Sequence, residues 1–194
     1  MKKILASVWH FIWEDNSILS WVVNVVLAFI LIKFVVYPGL GFIFQTESPV
    51  VAVVSKSMEH STGDFDDWWQ GKARQYSQFN ITKNDFENFT LQGGFKKGDL
   101  MLLRGVNPEK LKPGEIIVFK GGETDPIIHR VVTKTKIGEQ YIFSTIGDNN
   151  NNQLTYERNI TEERIVGKTI LRIPFLGYVK IAFTSIVSQI RGMT

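Results

Sequence analysis

The sequence predicts a mainly β protein: an antiparallel β domain behind an N-terminal transmembrane helix, followed by a C-terminal amphipathic helix. Three observations carry that prediction. An apolar stretch at 17–37 is broken only by isolated polar residues. From Gly98 to Ile173, runs rich in Val, Ile and Leu alternate with Pro-Gly, Gly-Gly and Gly-Asp-Asn punctuation, the pattern of strands joined by turns. From Phe175 to Ile190, Leu176, Val179, Phe183, Ile186, Val187 and Ile190 recur at helical spacing. The implied organisation is an N-terminal segment and anchor at 1–45, a β domain at 46–174 with an insertion or cap at 61–98, and the amphipathic helix at 175–194.

The N-terminal segment carries Lys2 and Lys3, then Trp9, Phe11 and Trp13, a mixture suited to a membrane interface. The span that follows is about 20 residues, enough for a helix to cross a hydrocarbon core of about 30 Å. Asn24 and Lys33 interrupt it, Lys33 near one end where it can snorkel, and Pro38-Gly39 with Gly41 close it. A cleaved signal peptide is the competing reading. The apolar run is long for one, and no small-x-small site follows closely. Two lysines precede the span and the next basic residue after it is Lys56, which favours a cytoplasmic N-terminus and an exterior β domain; Lys33 weakens that bias. Three N-x-T triplets, beginning at Asn80, Asn88 and Asn159, all lie downstream of the anchor and agree with an exterior domain.

Within the β domain, Val50–Val54 reads as a short buried strand, then Asp99–Arg104, Glu115–Lys120, Pro126–Thr133, Gln140–Ile146 and Ile165–Ile173, with Lys136–Glu139 as a hairpin loop. Residues 61–98 are polar and aromatic with weak helical periodicity, and Trp68-Trp69 is expected to pack. The net charge is +3 with no concentrated basic patch, so nucleic acid is not an expected partner. With no cysteine there is no thiol nucleophile, thiolate metal site or disulfide framework; with only three histidines, no metal site or other cofactor is expected.

Three residues share one setting. Ser57 follows the strand Val50–Val54, His129 lies within Pro126–Thr133, and Asp148 follows Gln140–Ile146. A serine hydroxyl becomes a useful nucleophile only when a base takes its proton. Imidazole is the usual base, and a carboxylate can fix its tautomer and stabilise the imidazolium. Taken singly, each has a plainer explanation: a polar turn after a strand, a core histidine, a Gly-Asp-Asn-Asn turn, and for Met58 a core filler. His10 precedes the anchor, while His60, three residues after Ser57, remains a possible base at this level. Lys56 adjoins Ser57, so on a strand it would face the other way.

The set SKSMEH, KPGEIIVFK, PIIHRVV and STIGDNN, after an N-terminal anchor, resembles the type I signal peptidases. The histidine resembles the archaeal and endoplasmic-reticulum branch of that family. The resemblance covers the anchor and Val50–Gly167. It implies a signal-peptidase-like β domain and a membrane-bound endopeptidase, single-pass in the cell membrane, that removes signal peptides after small residues. By motif it makes Ser57 the nucleophile, His129 the general base and Asp148 the supporting acid, with an oxyanion hole from the Ser57 N–H and the Ser55 hydroxyl. Val53, Val54, Met58, Ile127 and Ile128 would contact substrate in shallow apolar pockets. Preprotein signal peptides, membrane lipid and the secretion translocon are the implied partners. Two departures stand out. The second acid of the histidine branch is replaced by Gln153-Leu154-Thr155, so Glu157 competes with the preferred Asp148; and His60 stands where a proline often follows the serine motif. A catalytically inactive anchored β binding module, or a protease for a few surface-protein precursors, are the alternatives.

Overall fold

The computed structural model describes residues 2–60, 63–122, 126–182 and 185. The chain forms two compact units, residues 1–43 and 44–194.

In the first unit, α1 (Lys2–Trp13) precedes α2 (Ile18–Leu31), a π-helical segment (Ile32–Val36) and α3 (Tyr37–Phe44). The last three run as one helix, Ile18–Phe44, of 27 residues, long and apolar enough to cross a membrane. Ser17 caps its start by accepting the Ser20 N–H. The two polar residues in its first turns are used internally: the Ser20 hydroxyl donates to Phe11 O and the Asn24 amide to Ile12 O, satisfying terminal carbonyls of α1. The helix does not close at Pro38-Gly39 as the sequence suggested. A proline inside a helix lacks an N–H and crowds the preceding turn. Here the π segment loosens that turn, with the Tyr37 N–H reaching Ile32 O, and the helix continues to Phe44.

The second unit is built on one seven-stranded sheet in which every pairing is antiparallel. Its strands are β1 (Val50–Ala52), β2 (Leu100–Arg104), β3 (Ile116–Phe119), β4 (Ile127–Ile137), β5 (Gln140–Ile146), β6 (Ile160–Thr161) and β7 (Ile165–Ile173), in the order β1-β2-β7-β3-β4-β5-β6. β3 is apolar throughout because both its faces are covered. Ile116 and Val118 join one core cluster with Val51, Val53, Phe95 and Met101, whereas Ile117 and Phe119 join another with Leu111, Val131 and Phe143. β1 is shorter than the predicted Val50–Val54, although the Val53 N–H still donates to Asp99 O. β4 is longer than predicted, and its hairpin to β5 turns on Gly138-Glu139 alone, with Gly138 at a positive φ that a tight hairpin favours. β4 carries a β-bulge between Val131 and Thr133.

The insertion folds as α4 (Phe65–Ser77), N-capped by Asp64, and α5 (Lys83–Glu87), opened by a Thr82–Asp85 capping box. Trp68, Trp69, Tyr76, Ile81 and Phe86 bury themselves with Val132 of β4 and Ile146 of β5. The paired tryptophans are therefore packing residues, as expected. β6 had no counterpart in the sequence reading, being only two residues long. Residues 177–182 are helical; the rest of the predicted amphipathic helix lies largely outside the described residues.

Candidate active site

The turn after β1 presents Ser55 and Ser57. Ser57 is half-buried, and its Oγ lies 2.9 Å from His129 Nε2 on β4 and 3.1 Å from the Ser55 Oγ. His129 is 2 % exposed. Its other ring nitrogen, Nδ1, lies 2.5 Å from Glu157 Oε1, while Glu157 Oε2 accepts the Leu154 N–H at 2.6 Å. Glu157 closes a 3₁₀ turn, Thr155–Glu157, and is fully buried. A carboxylate facing Nδ1 requires the proton there, which leaves the Nε2 lone pair for the serine O–H. That is the tautomer a general base needs.

The carboxylate on His129 is thus Glu157, and the preference for Asp148 is corrected. Asp148 is also fully buried, but it is bound elsewhere. Arg130 donates to it through Nε at 3.0 Å and through Nη2 at 2.7 Å, Tyr76 donates its hydroxyl at 2.8 Å, and His60 Nε2 lies 3.0 Å from Oδ2. Burial alone would raise the Asp148 pKa. The charge and hydrogen bonds of Arg130, with those of His60, outweigh it and lower the pKa from 3.8 to about 2. Burial and the neighbouring Asp148 push the Tyr76 phenol well above its ordinary range. The remaining Arg130 donors reach Thr90 O, Leu91 O and Gly114 O, so this buried guanidinium is fully matched. His129 and Arg130 are consecutive on β4 and point to opposite faces. One serves the serine and the other serves Asp148.

The histidine on Ser57 is His129, whereas His60, the other candidate base, is bonded to Asp148 and stacks on Trp68 at 3.6 Å between ring centroids. Met58 is corrected as well. It is 1 % exposed, packs in the core, and its Sδ accepts the Asp148 N–H. Val53, Val54, Ile127 and Ile128 do line a cleft of about 310 Å³ that opens onto Ser55, Ser57 and His129, together with Leu154 and Tyr156.

Several contributors escaped the sequence reading. The Asn149 N–H donates to Ser57 O at 2.8 Å and its side-chain amide to Lys56 O at 3.0 Å, so the serine turn is clasped from the loop after β5. Gly147 fits beside it because a side chain would collide: a Cβ there would stand 2.8 Å from Ser57 O and 2.9 Å from His129 Nε2. Gln153 braces the acid-bearing segment by donating to Thr145 O and Glu157 O. GDNN reads first as a turn, and only its contacts reveal what the turn holds.

Among curated proteins, the chain is similar to the signal peptidase complex catalytic subunit SEC11 of Metarhizium robertsii, 32% identical over 155 residues that cover 76% of this chain and 71% of the relative. The chain belongs to the family of signal peptidase complex catalytic subunits. The same-named proteins of Sclerotinia sclerotiorum and Colletotrichum graminicola are 32% and 30% identical over the same coverage. No protein-family model matches the chain.

Proposed function

We propose that this family member is a membrane-anchored serine endopeptidase that removes signal peptides from preproteins after small residues, with Ser57 as nucleophile, His129 as general base and Glu157 as the orienting acid. The observation that carries the reading is the continuous chain from Ser57 Oγ through both nitrogens of His129 to Glu157, opening onto an apolar-walled cleft. In this mechanism Ser57 Oγ attacks the scissile carbonyl carbon as its proton passes to His129 Nε2. The imidazolium, stabilised by Glu157, hands that proton to the leaving amine. Water, deprotonated by the same nitrogen, then hydrolyses the ester. The Ser55 hydroxyl, beside the serine, and the Ser57 N–H are the proposed oxyanion donors, each worth about 10²–10³-fold in rate.

An extended substrate has two strand edges available. β1 pairs only with β2, and Ile127–His129 extend beyond the first β4–β5 pair at Arg130. A peptide laid between Val53–Val54 and Ile127–Ile128 would make main-chain bonds while its alternate side chains meet apolar walls. The relatives are named as subunits of a signal peptidase complex, and we extend to this chain both the signal-peptide substrate and assembly with other subunits. The anchor is read as single-pass with its N-terminus cytoplasmic and the β domain exterior, on the lysines that precede the span. Lipid is the anchor's partner in this reading.

Ser57→Ala is expected to abolish preprotein cleavage in detergent or liposomes and to abolish labelling by a fluorophosphonate. Retained cleavage would remove Ser57 from the mechanism. A parent protein that neither cleaves nor labels would favour an inactive binding module.

A further inference from the structure

Lys72, in the middle of α4, spends its ammonium on a single loop. Its Nζ donates to Asn149 O at 3.0 Å, to Asn150 O at 2.8 Å and to the Asn151 side-chain oxygen at 3.3 Å. An ammonium has three donors, so the set is complete. Two successive main-chain carbonyls aimed at one point repel each other unless a cation lies between them. The opposite side of the same loop clasps the nucleophile: Asn149 holds Ser57 O and Lys56 O, and Asn150 lines the cleft. One helical turn after Lys72, on the same face, Tyr76 donates to Asp148 Oδ1. A single face of the insertion therefore engages residues 148–151 in sequence.

We infer that Lys72 is a positioning residue for Ser57: the inserted helix α4 holds, through this ammonium, the loop that fixes the serine backbone against His129. The insertion is thereby a working part of the catalytic domain. The inference rests on the proposed role of Ser57. Lys72 touches neither substrate nor the reacting atoms; it acts through Asn149.

The test uses the full chain in detergent, with all rates expressed per folded molecule. Two readouts are taken: kcat and KM for preprotein cleavage, and the rate of Ser57 labelling by a fluorophosphonate, which needs no preprotein. Lys72→Met keeps the stem and removes the donors. It is expected to lower kcat and the labelling rate together by about tenfold with KM little changed, the consequence of a misplaced nucleophile. Lys72→Arg keeps the cation, but its planar fork cannot converge three donors on one point, so about a threefold loss is expected. A folded Lys72→Met protein within twofold of the parent in both rates overturns the inference (twofold being about 0.4 kcal/mol). So does Lys72→Arg at the parental rate, or at a rate no better than Lys72→Met. Should Lys72→Met fail to fold, the Lys72→Arg labelling rate decides by the same criterion. A parent that labels at Ser57 yet cleaves no preprotein defeats the substrate reading and leaves the Lys72 test running; a parent that does not label defeats both.

Discussion

Asp148 and Glu157 are both fully buried carboxylates, and each lies within hydrogen-bond reach of a histidine, yet they belong to different environments. The Asp148 carboxylate is surrounded by donors: two guanidinium nitrogens of Arg130, the Tyr76 hydroxyl and the ring of His60. Its charge is matched before any reaction begins. Glu157 receives one backbone N–H and faces His129 with its other oxygen, with no lysine or arginine ion pair among the described residues. Its charge gains most when the His129 ring takes up a proton. The difference teaches that a buried acid beside a histidine is no sign of catalysis by itself. What counts is whether its charge is still uncompensated when the proton moves.

That contrast can be broken most severely at Glu157. Glu157→Gln is expected to lower kcat by about 10²–10⁴-fold, because the amide no longer selects the reactive tautomer or stabilises the imidazolium. The protein should still fold, and cleavage kinetics beside a thermal melt would check both halves. Asp148→Asn should behave the opposite way. Leaving Arg130 buried without its counter-charge is expected to cost on the order of 3 kcal/mol of stability. A denaturant titration reads that loss, and the folded fraction should keep most of its kcat. If Asp148→Asn proved the more damaging to kcat and Glu157→Gln the more damaging to stability, the two assignments would exchange.

Acid unfolding sharpens the comparison further. The Asp148 pKa is about 2 in the folded protein against an ordinary 3.8, so its contribution is fully present above about pH 4 and is lost as the pH falls through 2. Stability followed by circular dichroism should fall in that window, and Asp148→Asn should flatten the fall. The smallest effect is expected from His60→Phe, which keeps a ring against Trp68 but drops the bond to Asp148. About 1 kcal/mol of stability should go, with kcat nearly unchanged.

Much of this was legible in the residues. The apolar span, the six longer strands and the hairpin follow from local pattern, because side-chain periodicity and turn chemistry are local properties. Ser57 and His129 were legible as candidates because each is a reactive side chain at or near the end of an apolar strand. Lys72, Tyr76 and Asn149 were not, nor was the bond from His60 to Asp148, since each matters only through a partner remote in sequence. Glu157 entered as an alternative only because the expected acid position was occupied by Gln153-Leu154-Thr155.

The sequence by itself determined the list of chemically competent groups and the strands that carry them; which carboxylate meets the imidazole was decided by the tertiary structure. The reason lies in one bulge. The hairpin begins by pairing Ile137 with Gln140, and carried along unbroken that register would set Asp148 opposite His129, on the same face. The extra residue between Val131 and Thr133 shifts the pairing, so that Ile146 lies opposite Arg130. Asp148 falls instead on Arg130's side of the sheet, and the place beside His129 is left to Glu157. A slip of one residue exchanges the faces of a strand, and no local pattern of apolar and polar residues records where that slip occurs.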